Sequence, residues 1–164
     1  MIRTKSLAAV LLALLALVAV APAASATPSD TLLPSDTAAR LTNIRVGAHD
    51  TYDRVVLDLT SLPSYSYEFV DQLEYDPSGK PVNIPGTKFV KLVLQGAATY
   101  DDNGNPTYPG PRTITTPQLT NVQAVAIIGD FEHVLSVGFG LKHTANVHVF
   151  TLTGPNRLVI DVDH

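Results

Sequence analysis

Hydrophobic and polar residues alternate in short runs along most of the chain after residue 40. Runs of this kind, rich in β-branched and aromatic residues and separated by Gly, Pro, Asn and Asp, are typical of β-strands joined by turns. The pattern predicts eight strands, at residues 41–46, 54–59, 65–75, 89–94, 122–128, 134–139, 147–152 and 157–162. The predicted fold class is therefore all-β, a β-sandwich of mostly antiparallel short strands.

Two of these strands carry almost the same phrase, DRVVLDL at residues 53–59 and NRLVIDV at residues 156–162. Because successive side chains of a strand point to opposite faces, each copy has one wholly aliphatic face and one face that carries Arg and Asp. Two strands of one design at opposite ends of the domain suggest approximate internal symmetry. The alternative is that strands rich in Val, Ile and Leu resemble one another by composition alone.

Turn residues predict where the strands reverse. The tetrad Asp76-Pro77-Ser78-Gly79 predicts a turn that folds residues 65–75 back through residues 82–84. The triad Gly154-Pro155-Asn156 predicts a hairpin between the last two strands. The last strand is too apolar to lie at an open sheet edge.

The first 26 residues have the pattern of an export signal, a basic start, an apolar run at residues 7–21 and a cleavage site at Ala24-Ser25-Ala26. An apolar run of about 15 residues is shorter than the roughly 20 that a spanning helix needs. We therefore expect cleavage after Ala26, no membrane association afterwards, and a secreted, extracellular protein that is free or associated with the cell wall. Residues 27–39, rich in Pro, Ser, Thr and Asp, predict a flexible linker before one domain at residues 40–164.

Composition and charge narrow the possible chemistry. The chain has no cysteine, which excludes disulfides, thiolate catalysis and Cys-ligated metals. Loss of residues 1–26 removes Arg3 and Lys5 from 11 Lys and Arg, so 9 remain against 15 Asp and Glu. Nucleic acid and anionic membrane surfaces are not expected partners, because both are bound by clustered Lys and Arg and the sequence has no such cluster.

The longest segment without a strand pattern, residues 97–118, predicts an ordered surface loop stiffened by three closely spaced prolines. We expect this loop to present Tyr108 and Arg112. An aromatic face can stack on a sugar ring, and a guanidinium can grip a peptide carboxylate with two hydrogen bonds. The alternative is that Arg112 forms a surface ion pair with Asp101 or Asp102.

The tetrad Gly129-Asp130-Phe131-Glu132 interrupts two apolar runs. Its composition predicts a turn whose Phe131 enters the core. The functional alternative is that Asp130 and Glu132 accept hydrogen bonds from sugar hydroxyls or peptide amines. The candidate ligand-binding residues are therefore Tyr108, Arg112, Asp130 and Glu132.

Metal and cofactor sites are not expected. His143 and His148 are five residues apart, which would place them on opposite faces of a strand, unable to converge on one metal. Residues 101–105 offer oxygen ligands, but the distal Glu of a calcium loop is missing, and an Asx-rich turn explains them better.

A hydrolytic triad has no visible nucleophile, because no serine lies in a nucleophile-elbow phrase. The enzymatic alternative is a secreted hydrolase that uses Asp130, Glu132 and His133, with the carboxylates orienting the imidazole as a base.

Several phrases together resemble the AMIN-like domain of exported actinobacterial proteins. The resemblance is carried by residues 52–56, 67–70, 89–92, 108–112, 129–132, 138–141, 150–152 and 157–162. That family is similar to the AMIN domain, a β-sandwich with internal symmetry that directs cell-wall amidases and secretin pores to the envelope by contacting peptidoglycan. The resemblance implies a non-catalytic envelope-binding module with cell-wall peptidoglycan or an envelope protein as its partner. The alternative function is an extracellular protein-interaction domain without glycan binding.

Overall fold

The computed structural model describes residues 38–164. The predicted signal peptide and residues 27–37 of the predicted linker lie outside the described residues. The strands, in chain order, are β1 Ala39–Ala48, β2 Tyr52–Leu59, β3 Ser64–Val70, β4 Glu74–Tyr75, β5 Lys80–Pro81, β6 Lys88–Gln95, β7 Ala97–Ala98, β8 Thr113–Thr115, β9 Val122–Phe131, β10 Val134–Leu141, β11 Val147–Leu152 and β12 Arg157–Asp163. Within residues 38–164, no helix is long and apolar enough to span a membrane.

Two five-stranded sheets build the domain. Sheet 1 has the order β11-β12-β2-β1-β7, and sheet 2 has the order β3-β6-β10-β9-β8. Neighbouring strands are antiparallel except for β1 and β7, which pair in parallel. The prediction of an all-β sandwich of mostly antiparallel strands is confirmed.

The inner faces of the two sheets supply one hydrophobic core. Side chains at alternate positions of the central strands are buried there, as the alternation predicts; they include Val55, Leu57, Leu158 and Ile160 from sheet 1 and Leu92, Leu94, Val137 and Phe139 from sheet 2. Burial of each such side chain contributes roughly 1.5 to 3 kcal/mol to folding. This core fixes which face of each sheet points outward.

The two copies of the repeated phrase are neighbours in sheet 1, because β12 pairs antiparallel with β2. This pairing places Arg54 opposite Asp161, and Asp58 opposite Arg157. Both aliphatic faces point into the core, so both Arg and Asp faces point outward. The predicted hairpin of the last two strands is confirmed, and β12 lies between β11 and β2 rather than at an edge.

One predicted strand is wrong, since residues 65–75 do not form a single strand. Strand β3 ends at Val70, and β4 begins at Glu74 and pairs with β5 across the predicted turn at residues 76–79. Between them Leu73 leaves the strand direction and is buried in a second apolar cluster. The sequence missed β5, β7 and β8, which are at most three residues long and too short to show an alternating pattern.

The outer face of sheet 2 is covered by the chain itself. Residues 71–87 fold over it, and their Leu73 and Val82 pack against Ala126 and Ile128 of β9. The close approach depends on two glycines of β10. A Cβ at Gly138 would lie 2.7 Å from a Leu73 methyl carbon, and one at Gly140 would overlap the Pro85 carbonyl oxygen. No corresponding segment of the described residues covers the outer face of sheet 1.

A buried carboxylate ties the sheets together at one end. Asp53 of β2 is 0% exposed and accepts hydrogen bonds from the backbone N–H groups of Thr120, Asn121 and Val122, at 3.1, 2.6 and 2.9 Å. The His164 Nε2 atom lies 3.2 Å from the same carboxylate. Burial raises the pKa of Asp53, but the backbone donors and the His164 ring together outweigh burial and hold that pKa below its usual range.

We expect Asp53→Asn to lower the free energy of unfolding by roughly 3 kcal/mol at pH 7, because three buried N–H donors lose a charged acceptor. The folded-state pKa lies below the unfolded value of about 3.9, so this stabilisation is complete above that pH and is lost as the pH falls through the folded pKa. Urea unfolding between pH 7 and pH 3 measures it. The exposed Asp50→Asn is the control, and an equal loss in both variants would contradict the tie.

We expect Gly140→Ala to lower the free energy of unfolding by about 2 to 3 kcal/mol, because the methyl group would overlap the backbone of the covering segment. The matched control is Gly47→Ala in β1, whose Cβ would have no atom within 4 Å. Thermal and urea unfolding of the two variants provide the comparison. Equal stability of both would show that residues 71–87 do not pack closely on sheet 2.

Candidate functional site

Tyr108 does not lie at the surface. Only 8% of the residue is exposed, its ring packs into the core, and its hydroxyl donates a 3.0 Å hydrogen bond to the Pro111 carbonyl oxygen. Burial raises the pKa of this hydroxyl. The prediction that the loop presents Tyr108 is wrong, because the proline-rich chain folds over the ring and a stacking platform needs an open face.

Arg112 is exposed, as predicted, just before the edge strand β8. Its Nη2 atom donates a 3.3 Å hydrogen bond to the Ile127 carbonyl oxygen. The alternative ion pair is not formed, since Asp102 pairs with the buried Arg40. The Asp101 carboxylate accepts hydrogen bonds from residues 103 and 105 of its own loop.

That loop is the predicted Asx-rich turn. The side chain and backbone N–H of Asn105, followed by the backbone N–H of Asn103, lower the pKa of Asp101 by donating hydrogen bonds to it. Within residues 38–164, no group of three or more His, Asp or Glu side chains is arranged to hold a metal ion.

Asp130 and Glu132 lie near the end of β9 but in different surroundings. Asp130 accepts hydrogen bonds from the backbone N–H and the hydroxyl of Thr99. The chain reverses at Glu132 and His133, whose φ angles of 48° and 60° form a two-residue hairpin turn. Phe131 is 56% exposed at this hairpin tip, so the prediction that it enters the core is wrong.

Among the described residues, the His133 ring forms no ion pair with either acidic neighbour. Its ring centroid lies 6.2 Å from that of Tyr100, and no hydrogen bond joins the imidazole to Asp130 or Glu132. The four predicted ligand-binding residues therefore lie in different surroundings and do not form one site. Tyr108 is buried, Arg112 is exposed at a sheet edge, Asp130 accepts hydrogen bonds from Thr99, and Glu132 lies at a hairpin tip.

The uncovered outer face of sheet 1 brings together a different set of side chains. At its centre Val56 of β2 lies beside Val159 of β12, and both valines are buried, at 9% and 1% exposed, beneath the side chains around them. The neighbouring strands place Arg45 beside Val56 and Phe150 beside Val159. Arg and Asp residues surround this centre on β1, β2 and β12.

Two ion pairs fix the arginines of this face. Arg54 donates from Nε and Nη2 to both carboxylate oxygens of Asp161, each at 2.7 Å. Arg45 donates in the same way to Asp58, at 2.8 and 2.7 Å. These hydrogen bonds, to Asp161 and Asp58 respectively, raise the pKa of each arginine. Both guanidinium groups are therefore held in defined positions at the surface.

Aromatic rings flank Arg54. Its guanidinium carbon lies 5.1 Å from the Tyr52 ring centroid and 5.7 Å from that of Phe150, within the range of cation–π contacts. The His49 ring stacks on Tyr52 at 4.4 Å between centroids and 19° between planes. The result is a row of planar groups on a rigid sheet.

An open cleft of about 190 Å³ lies on the β1 side of this row. Its lining residues are Arg45, Val46, Gly47, His49, Arg54 and Val56. Two arginines and a histidine line the cleft without a carboxylate, so it suits an anionic or hydrogen-bonding ligand. We call this the β1–β2 cleft.

Sequence reasoning identified the Arg and Asp face of the repeated phrase but missed Arg45, Gly47, His49 and Tyr52 as parts of a site. The available signal was the position of β1 directly before the first copy, since a short connection at residues 49–51 predicts an antiparallel neighbour. The register that sets Gly47 opposite Arg54 is a property of the folded sheet.

Comparison with known proteins identifies one family. The model of the family described as the AMIN-like domain matches residues 39–164, which is most of the chain and almost all of the described residues. No curated protein matches the chain at a significant level.

We expect a double-mutant cycle of Arg54→Met and Asp161→Asn to give a coupling free energy of about 1 kcal/mol. The pair formed by Arg45 and Asp58 is the matched control. Its side chains are 50% and 21% exposed, against 32% and 13% for Arg54 and Asp161, so its coupling should be weaker. Urea unfolding of the wild type, the four single variants and the two double variants measures both values, and a stronger coupling in the control pair would contradict the assignment.

Proposed function

The chain belongs to the AMIN-like domain family, whose members are binding or targeting modules associated with the cell envelope, and we propose that it is a secreted module that binds peptidoglycan. The proposal places binding on the outer face of sheet 1. Its central support is the asymmetry of the sandwich, in which residues 71–87 cover the other outer face.

The chemistry of the uncovered face suits a glycan that carries short peptides. The Tyr52 ring is stacked on His49, but a half-buried aromatic ring such as that of Phe150 can pack on the apolar face of a sugar, and guanidinium groups can donate to hydroxyls, carbonyls and carboxylates. The ion pairs of Arg45 and Arg54 hold these donors in place before binding, which lowers the entropy lost on association.

The charge of the chain supports a polymer of low charge density. With 9 Lys and Arg against 15 Asp and Glu after the expected cleavage, the protein repels polyanions at long range. A binding surface built from balanced ion pairs fits hydrogen-bonding and stacking better than recognition of a polyphosphate.

A protein partner is the second candidate, and one observation favours it. Strand β3 is an edge of sheet 2, and Tyr67 and Phe69 on it are 42% and 46% exposed. An exposed edge with aromatic side chains can accept an added strand from another protein. Such a partner would bind the opposite sheet from the one that carries the β1–β2 cleft.

Co-sedimentation with purified cell-wall sacculi tests the proposal. The protein used is residues 27–164, the chain without its predicted signal peptide. We expect saturable binding that Gly47→Tyr weakens at least tenfold, because Gly47 has open space around its Cβ position and a tyrosine there would fill the cleft. Ser66→Tyr is the matched control, since Ser66 is exposed on β3 of the other sheet.

Further results of the same assay locate or exclude the site. Loss of binding in Arg112→Ala, with Gly47→Tyr unaffected, would move the site to the edge of sheet 2 predicted from the sequence. No sedimentation of the unsubstituted protein at physiological salt would contradict peptidoglycan binding and favour a protein partner. Circular dichroism and urea unfolding establish that each variant is folded.

A further inference from the structure

We propose that the β1–β2 cleft binds a peptide C-terminus, a single carboxylate on a small apolar residue, and this inference rests on the proposed function for the face that contains it. The cleft has about 190 Å³ of open volume, enough for the end of a peptide rather than for a polymer chain. Neither the sequence pattern nor the family match assigns a ligand to it.

The hydrogen-bond donors in the cleft are two arginines whose N–H groups are only partly used by their aspartate partners. In both Arg45 and Arg54, the carboxylate partner occupies Nε and Nη2. Among residues 38–164, no hydrogen bond is donated by the remaining terminal nitrogen, Nη1, of either arginine, although the Tyr52 side chain lies close enough to Arg54 to contribute to raising its pKa. A guanidinium that is already fixed by one carboxylate can donate from this free position to a second one with little further ordering.

The space in the cleft exists because position 47 has no side chain. Gly47 lies directly opposite Arg54 in the β1–β2 ladder, and a Cβ built on it meets no atom within 4 Å. The backbone at Gly47 is outside the left-handed region, so its conformation does not require glycine. Any larger residue would fit the fold but would occupy the volume next to Arg54.

The charges around the cleft favour a monoanion over a dianion. Arg45 and Arg54 are balanced by Asp58 and Asp161, which lie on the same face. A carboxylate adds one charge to this neutral group, whereas a phosphate dianion would bring two charges close to both aspartates. His49 lines the same cleft and can donate an additional hydrogen bond.

The apolar part of the lining indicates what the carboxylate is attached to. Val56 is 9% exposed on the floor of this face, whereas Val46, which also lines the cleft, lies opposite Val55 and packs its side chain against the core. A methyl or similarly small side chain can contact Val56 while the carboxylate reaches the arginines. The combination specifies the C-terminal end of a peptide that finishes in a small apolar residue such as alanine.

The test is a titration of the 15N-labelled chain, residues 27–164, with N-acetyl-D-alanyl-D-alanine. Its C-terminal amide is the control that lacks the carboxylate, and glycerol phosphate is the control that carries a phosphate instead. We expect saturable shifts of the Gly47 amide and of the Arg45 and Arg54 Nε–H signals with the free acid. Affinity for the amide and for glycerol phosphate should be at least tenfold weaker. Gly47→Tyr should abolish the shifts, and Ser66→Tyr should leave them unchanged.

Three results would overturn the inference. Equal affinity for acid and amide would show that the carboxylate is not recognised, tighter binding of glycerol phosphate would reverse the charge assignment, and unchanged binding by Gly47→Tyr would place the peptide elsewhere. The sacculus assay separates this inference from the proposed function. Binding to sacculi without binding of the free acid would overturn only the peptide-terminus inference, whereas loss of sacculus binding alone would overturn the proposed function.

Discussion

The antiparallel pairing of β2 with β12 is the contact on which the rest of the domain depends. It joins the two copies of one phrase near opposite ends of the described chain, and in doing so sets Arg54 opposite Asp161 while Leu57 and Leu158 face the core. The same register thus assigns one surface of sheet 1 to folding and the other to charged and aromatic groups. Asp53, the first residue of the phrase, also connects this strand to the second sheet, because its carboxylate accepts hydrogen bonds from the backbone N–H groups of residues 120–122.

The sequence predicted much of the fold because the strands of the core alternate strictly, as in Val55, Leu57 and Leu59. Its failures have identifiable physical causes. Tyr108 lies in a segment rich in proline and glycine, which suggested exposure, but such segments can also fold tightly over a ring. Phe131 is apolar and was assigned to the core, yet the hairpin at residues 132–133 carries it beyond the sandwich. The β1–β2 cleft could not be predicted because it depends on register, which brings Gly47 opposite Arg54 across two strands.

The difference between the two outer faces connects this architecture to function. On sheet 2, the glycines of β10 allow residues 71–87 to lie directly on the strands, and the face is closed by an apolar cluster. On sheet 1, the corresponding position opposite Arg54 is also a glycine, but the space above it is open. Glycine therefore has different consequences on the two faces. On sheet 2 the absence of side chains makes room for residues 71–87, and on sheet 1 it leaves an open cleft beside the ion-paired arginines. The binding role of the AMIN-like family is consistent with that open face.

The claim that binding occurs on the uncovered face of sheet 1 is tested most directly by an amide chemical-shift map. The 15N-labelled domain would be titrated with soluble fragments of enzymatically digested peptidoglycan. We expect the perturbed amides to cluster on β1, β2 and β12, around Gly47 and Arg54, with little change on β3, β8 or the hairpin at residues 132–133. A cluster of perturbed amides around Arg112 and Glu132, or no perturbation at saturating fragment concentration, would contradict the claim.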